Sequence, residues 1–84
     1  MRIFNLGNGY MVICNVQSTR NGFKHTATLC LNGIEQATTK IGYINRTWEA
    51  YEYEDVLKKI IIENFDGEEK GKYMEAIKYE NIRG

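Results

Sequence analysis

The sequence predicts a single α+β domain spanning residues 1–84. It is a three- to four-stranded antiparallel meander with one long helix packed on one face and a shorter C-terminal helix. Residues 10–44 alternate between apolar and polar side chains, as strands do. Asn32-Gly33 divides two of these runs and favours a two-residue type I′ turn. After residue 53 the apolar residues recur at helical spacing instead.

The first two long strands are predicted at residues 10–17 and 23–31, with a polar loop at residues 18–22 between them. Residues 2–5 before them form a short apolar piece, which fits either an edge strand or a packed terminus. We expect a register that puts the more apolar face of each strand on the same side. This register pairs Val16 with Phe23, Cys14 with His25, Val12 with Ala27 and Tyr10 with Leu29.

The third long strand, residues 34–44, does not alternate regularly. Strict alternation after the turn would place Gln36, Thr38 and Lys40 on the face of Ile34. Ala37, Ile41 and Tyr43 fit the inward series better. A one-residue bulge near Glu35 or Gln36 would reconcile the two patterns, because a bulge moves the following residues to the other face.

The long helix is predicted at residues 54–64, with Tyr51-Glu52-Tyr53 still extended before it. Its apolar stripe consists of Val56, Leu57, Ile60 and Ile61, and Tyr53 and Phe65 extend it. Ile62 lies off the stripe and would need a second element or a partner to cover it. A second helix at residues 68–81 would bury Tyr73, Met74 and Ile77. Asp66 is its expected cap, with Glu69 completing a capping box.

The predicted core combines the inward faces of the strands with the helical stripe. Its expected members are Tyr10, Val12, Val16, Phe23, Ala27, Leu29, Ile41, Val56, Leu57, Ile60 and Ile61.

Charge is balanced overall but differs between the two halves of the chain. Residues 1–50 carry five basic and two acidic residues, and residues 51–84 carry six basic and nine acidic ones. Neither half is charged enough to predict a dedicated nucleic-acid binder or a polyanion mimic. The sequence shows neither a signal-peptide pattern nor an apolar run of membrane-spanning length, so we expect a cytoplasmic protein without membrane contact.

Cys14, Cys30 and His25 are the only soft metal ligands, and we expect no metal and no cofactor. Zinc sites use closely spaced ligand pairs, whereas these two cysteines are widely spaced and fall on opposite faces in the expected register. A Cys14–His25 pair could act as a thiol nucleophile, but it lacks a third group to orient the histidine. The preferred interpretation is two packing thiols, a hydrogen-bonded histidine and no catalytic residue.

The candidate binding residues are basic or aromatic: Arg20, Lys24, Lys40, Arg46 and Trp48. Trp and Arg are frequent hot spots of protein interfaces, and the four cations could instead contact phosphate. The structural alternatives are a solvated turn around Arg20 and a Trp48 that closes the end of the core, with Arg46 stacked on a ring or paired with a carboxylate such as Glu49. For the carboxylates of the helical half, the expectation is a solvated helix face.

The runs TRNGFKHTATL (residues 19–29) and NRTWEAYEY (residues 45–53), with Asn32-Gly33 between them, resemble a group of short uncharacterised proteins from phages, prophages and mobile elements of Firmicutes. The resemblance covers residues 9–61. No activity is attached to that group, so it supplies context and no site residues. Some short phage proteins bind and block host defence proteins, as anti-CRISPR proteins do.

These observations lead to one functional expectation and two alternatives. We expect a non-enzymatic accessory protein of a phage or mobile element that binds a host protein, such as a CRISPR effector or another defence nuclease, through the open sheet face or the loops of Arg20 and Arg46. The alternatives are a small nucleic-acid-binding domain that uses the basic sheet half, and a self-associating protein such as a homodimer.

Overall fold

The computed structural model describes the backbone of residues 1–44, 46, 48 and 50–78, and their side chains except those of residues 40–44, 50 and 51. Four strands and two helices follow one another: β1 (Arg2–Gly7), β2 (Tyr10–Thr19), β3 (Gly22–Leu31), β4 (Ile34–Ile44), α1 (Ala50–Asn64) and α2 (Gly67–Ala76). The strands form one antiparallel sheet in the order β1-β2-β3-β4. The predicted α+β meander is confirmed, and the N-terminal piece is an edge strand.

Two Asn-Gly turns lie side by side at one end of the sheet. Asn32 and Gly33 have φ values of 51° and 84°, as the predicted I′ turn requires, and Asn8 and Gly9 repeat the pattern with 54° and 85°. The backbone N–H of Asn32 donates to the carbonyl oxygen of Gly9 at 2.8 Å, which links the two turns.

The predicted register between β2 and β3 is wrong by two residues. Val16 pairs with His25, Cys14 with Ala27, Val12 with Leu29 and Tyr10 with Leu31. The connection is shorter than expected, because Thr19 already pairs with Gly22 and only Arg20 and Asn21 form the turn. The Thr19 hydroxyl donates to the carbonyl of Gly22 at 2.9 Å and accepts from the N–H of Asn21 at 3.2 Å, which closes this tighter turn.

The predicted bulge in β4 is confirmed. Leu29 pairs with Ala37 and Cys30 with Glu35, so Gln36 is the extra residue. The register shifts a second time between His25, which pairs with Gly42, and Thr26, which pairs with Lys40. The expected inward orientation of Ile41 and Tyr43 lies outside the described side chains.

Helix α1 begins earlier than predicted, because residues 51–53 are helical rather than extended. Their Tyr-Glu-Tyr alternation imitates a strand, yet Tyr53 continues the apolar stripe and packs its ring 5.9 Å from that of Phe4. Helix α2 ends at Ala76, and Ile77 and Lys78 form a turn after it. The prediction of helix at residues 77 and 78 is therefore wrong, and residues 79–81 lie outside the described range.

Asp66 is the N-cap of α2, as predicted, but the capping box is wrong. The Asp66 side chain makes no capping hydrogen bond. Gly67 follows with a φ of +55°, so the chain enters the helix with a geometry that the capping box does not use.

The core lies between one face of the sheet and both helices. Seven predicted members are buried: Val12, Ala27, Leu29, Val56, Leu57, Ile60 and Ile61. Phe4, Leu6, Cys14 and Phe65 join them, together with Tyr73 and Ile77 of the α2 segment; Tyr10, Met74, Trp48 and Tyr53 are partly buried against the cluster.

Val16 and Phe23 are only half-buried and lie outside the core cluster, contrary to prediction. Helix α1 has 15 residues and is about 22 Å long, whereas each of the 10-residue strands β2 and β3 spans about 33 Å. Val16 and Phe23 lie closer to the β2–β3 turn than Cys14 and Ala27, the members of the buried cluster nearest that turn. The side chain of Ile41, also a predicted core residue, lies outside the described part.

Candidate binding surface

One face of the sheet faces away from the core, and we call it the open face. Strand alternation and register assign its described members as Ile3, Asn5, Met11, Ile13, Asn15, Gln17, Lys24, Thr26, Thr28, Cys30, Glu35 and Thr38. The buried cluster that holds both helices draws on the other face of β1, β2 and β3. Within the described chain, the open face is therefore the broad sheet surface that no helix covers.

The open face is apolar on the side of β1. Ile3 is 53% exposed and pairs with the half-buried Ile13. Met11 lies two residues from Ile13 on the same face of β2 and pairs with Asn5 of β1. Single exposed aliphatic residues are ordinary on a protein surface. Adjacent ones on a flat sheet form a patch that a partner could cover.

Toward the tip of the β2–β3 hairpin the same face becomes polar and encloses a shallow hollow of about 80 Å³ lined by Asn15, Gln17, Lys24 and Thr26. The register makes these residues two adjacent cross-strand pairs, Gln17 with Lys24 and Asn15 with Thr26. Lys24 was predicted as a binding residue. Its three neighbours were not, although the polar end of their strand face is visible in the sequence.

The five predicted binding residues do not form one site. Arg20 is exposed in the β2–β3 turn, near the hollow that contains Lys24. Trp48 lies on the helix side of the sheet, stacked on His25 with ring centroids 4.3 Å apart and planes tilted by 16°. Lys40 pairs with Thr26 in the backbone register, and its side chain lies outside the described set.

Arg46 and Trp48 make the structural contacts offered as alternatives to binding. Nη1 of Arg46 donates to Oε2 of Glu52 at 2.9 Å, and Nη2 contacts Oε1 of the same carboxylate. This two-point pair uses Glu52 in the first turn of α1, and Glu49, the carboxylate offered as an example, lies outside the described residues. Trp48 also meets Tyr53 edge-on at 5.4 Å, so both residues hold the corner before α1.

His25 is a buried, hydrogen-bonded histidine, as the preferred interpretation held. It is 1% exposed, and its Nε2–H donates to the backbone carbonyl oxygen of Arg46 at 3.2 Å. Its cross-strand neighbour is Val16 rather than Cys14, so the expected thiol–imidazole pair is wrong.

The two cysteines are buried free thiols on opposite faces of the sheet, as predicted. Burial raises the pKa of Cys14 to about 11, an effect that the positive charges of Arg2 and the N-terminus partly offset. The thiol is therefore protonated at neutral pH and is a poor nucleophile. Among the described residues no three His, Cys, Asp or Glu side chains are grouped to hold a metal ion.

Most described carboxylates of the helical half lie on the solvent side, as expected, but Glu52 is mostly buried in its pair with Arg46. Asp55, Glu63, Asp66, Glu68 and Glu69 are exposed. Glu54 is half-buried and pairs with Lys58 at 3.6 Å, one turn along α1. Exposed carboxylates spread over helix surfaces lack the enclosing pocket that acid–base catalysis uses.

Comparison with family models, with curated proteins and with solved structures found no match to this chain. In the part of the chain that the structure describes, neither helix has the length and apolar character needed to cross a membrane.

Proposed function

We propose that this chain is a non-enzymatic binding protein that engages another protein through the open face of its sheet. The observation that carries the proposal is the juxtaposition on this face of the aliphatic patch of Ile3, Met11 and Ile13 with the polar hollow around Lys24. Protein interfaces combine an apolar centre with a polar rim in this way. The buried cluster draws on the other face of the sheet, so the patch lies outside the core.

The distribution of aromatic rings favours a protein partner over a nucleic acid. Sheets that bind single-stranded RNA stack bases on exposed aromatic side chains. Here Phe4, Tyr10, Trp48 and Tyr53 pack against the core on the helix side, and none of the described side chains of the open face is aromatic. Tyr43 pairs with Lys24 in the backbone register, and its side chain lies outside the described set. The charge of Arg46 is already paired with Glu52.

The resemblance to short phage and mobile-element proteins gives the proposal its context. In that setting the partner would be a host protein in the bacterial cytoplasm, and a defence nuclease such as a CRISPR effector is the first candidate. Binding to such an enzyme would inhibit it by occupying a working surface, without any catalytic group on this chain.

Capture from a Firmicutes host lysate tests the proposal, with two variants matched in exposure. Ile3 on the open face is 53% exposed and Ile62 on α1 is 55% exposed, so Ile3→Asp and Ile62→Asp make the same chemical change at equal exposure on opposite sides. We expect the wild type and Ile62→Asp to retain one protein at equal stoichiometry, and Ile3→Asp to lose it. Equal capture by both variants, or no retained protein, would contradict the proposal.

The nucleic-acid alternative rests on the proximity of Arg20 and Lys24, and on the pairing of Lys40 with Thr26. It requires an affinity that falls steeply with salt. A titration of labelled single- and double-stranded RNA and DNA at two salt concentrations distinguishes it: steep salt dependence together with weakening by Arg20→Ala and Lys24→Ala would favour it over the protein partner. Light scattering of the free chain tests self-association separately.

A further inference from the structure

The hollow on the open face has the size of a small charged group. Its volume of about 80 Å³ is several times the roughly 10–15 Å³ that a cavity needs to hold one water molecule. Pockets for drug-sized ligands enclose about 300–1,000 Å³. The space is therefore large enough for a single side-chain end group.

All four described lining side chains offer hydrogen-bond donors. Lys24 brings an ammonium group, Thr26 a hydroxyl, and Asn15 and Gln17 an amide each. The amide oxygen of Asn15 accepts from the N–H of Val16 at 3.1 Å, so the NH₂ end is the part that can donate to a ligand. None of the lining side chains is acidic, so the set is complementary to an anion.

The carboxylate of the open face lies far from the hollow. Glu35 pairs with Cys30, six positions along β3 from Lys24, which corresponds to about 20 Å. The hydroxyl of Thr38 already donates to the Glu35 carboxylate. Among the side chains that the structure describes, the hollow is therefore positive and no carboxylate lies in contact with it.

A second copy of this chain is a poor occupant. Its exposed carboxylates lie mainly on the helices, on the opposite side of the domain from the open face. A contact between the helices of one copy and the open face of the next is head-to-tail, and such contacts extend into filaments unless a rotation closes them. A separate acidic protein satisfies the charge without this consequence.

We infer that the hollow receives a carboxylate of an acidic protein segment, and that an aliphatic side chain of the same segment covers Ile3, Met11 and Ile13. This inference rests on the proposed protein-binding function and names the chemistry of the partner. Asn15 and Gln17 lie two and four residues along β2 from Ile13, so the acidic and aliphatic groups of the partner are about 7–13 Å apart.

The test is a titration of the isotope-labelled full chain, followed by NMR, with a blocked ten-residue peptide of glutamate and leucine. The same peptide with glutamine in place of glutamate is the neutral control. We expect amide shifts at Asn15, Gln17, Lys24 and Thr26, with the neutral peptide about five-fold weaker or more, as the loss of one partly exposed charge pair implies. Lys24→Gln should weaken the acidic peptide similarly, and Lys24→Arg should retain most of the affinity.

Lys59→Gln is the matched control, since it removes the same charge from an exposed position on α1. Equal weakening by Lys59→Gln and Lys24→Gln would show only a long-range charge effect and overturn the inference, as would equal binding of both peptides. Tighter binding of an oligonucleotide of equal charge at the same residues would overturn it in favour of phosphate. Self-association that Lys24→Gln abolishes would identify a second copy as the occupant and also overturn it.

The lysate capture separates failure of this inference from failure of the proposed function. If Ile3→Asp loses the captured protein while Lys24→Gln retains it at wild-type affinity, the protein-binding function stands and the hollow is not part of it. If neither variant changes capture, both proposals fail.

Discussion

Gly9 is the residue at which the two Asn-Gly turns meet. Its φ is +85°, its carbonyl oxygen accepts from the N–H of Asn32, and a Cβ built on it would lie 2.2 Å from Oδ1 of Asn32. Gly7 has a similar φ of +97°, but a Cβ there would meet nothing within 4 Å. Substitutions at Gly7 and Gly9 therefore distinguish the cost of backbone strain from the cost of steric crowding.

We predict that Gly7→Ala lowers the free energy of unfolding by about 1–2 kcal/mol, the ordinary cost of a left-handed backbone for a residue with a Cβ. Gly9→Ala should cost about 1 kcal/mol more, because Asn32 must turn its side chain aside and give up its preferred rotamer. Urea denaturation of both variants measures the difference. Equal losses would show that the space at Gly9 is not restrictive.

Cys14 gives the stability a dependence on alkaline pH. Its pKa is raised from 9.0 to about 11 in the folded chain, mainly by burial. As the pH rises past 9 the thiol ionises in the unfolded chain first, so the unfolded state is favoured. The contribution of the Cys14 thiol to the free energy of unfolding is therefore fully present below pH 9. It decreases between about pH 9 and 11, by roughly 3 kcal/mol in all.

The corresponding measurement is urea denaturation at several pH values on either side of pH 9, for the wild type and for Cys14→Ala. We expect the variant to lose less stability than the wild type over the alkaline range. Parallel pH profiles for the two chains would contradict the burial of this thiol.

Within α1, adjacent isoleucines have opposite environments. Ile61 is fully buried against the sheet, whereas Ile62 is 55% exposed. Ile61→Ala should cost about 2–5 kcal/mol, through lost burial and the cavity left behind. Ile62→Ala should stay within about 0.5 kcal/mol. Thermal or urea unfolding of the pair checks the orientation of the helix, and similar losses would mean that α1 is rotated from the position described.

The elements were predictable where a local rule decides them. Asn32-Gly33 specifies its turn, the stripe from Val56 to Ile61 specifies the buried helix face, and the broken alternation after Ile34 requires the bulge at Gln36. The register of β2 on β3 was not predictable in this way. A shift of two residues keeps every side chain on its face, so the apolar pattern fits both registers equally.

The candidate site was less predictable than the fold, for a related reason. The hollow is lined by the pairs Gln17–Lys24 and Asn15–Thr26, whereas the predicted register pairs Asn15 with Lys24 and opposes Gln17 to Gly22. Basic and aromatic composition identified Lys24 but also selected Trp48, which the structure places in a stack on His25. Residue type alone does not distinguish a ring that closes the core from one that anchors a partner.

At the scale of the whole molecule, an aromatic cluster joins the sheet to both helices. The ring of Tyr73 in α2 lies 4.5 Å from Phe65 and 5.4 Å from Tyr10, and Tyr10 meets Phe65 edge-on at 5.0 Å. The side-chain amide of Asn8 donates to the Tyr73 hydroxyl at 3.4 Å. The short helix α2 is thereby coupled to the β1–β2 end of the sheet.

We predict that Tyr73→Ala costs about 3 kcal/mol or more, as expected for truncating a buried aromatic residue. Tyr73→Phe keeps the ring and should cost only about 1 kcal/mol for the lost hydrogen bond to Asn8. Circular dichroism and Trp48 fluorescence should report one coincident unfolding transition in the wild type. Separate transitions would mean that α2 folds independently of the sheet.

Because Cys14 and Cys30 lie on opposite faces of the sheet, the rate at which each reacts with a thiol reagent reports a different motion of the chain. The two sulfur atoms cannot be joined within the folded sheet, since a disulfide needs Cβ atoms that point toward each other. A thiol reagent reaches Cys14 only when the helices separate from the sheet, whereas Cys30 needs only a local displacement of side chains on the open face. The labelling rate of Cys14 relative to that of Cys30 therefore reports how often the helices separate from the sheet. A partner bound to the open face would slow the labelling of Cys30 alone.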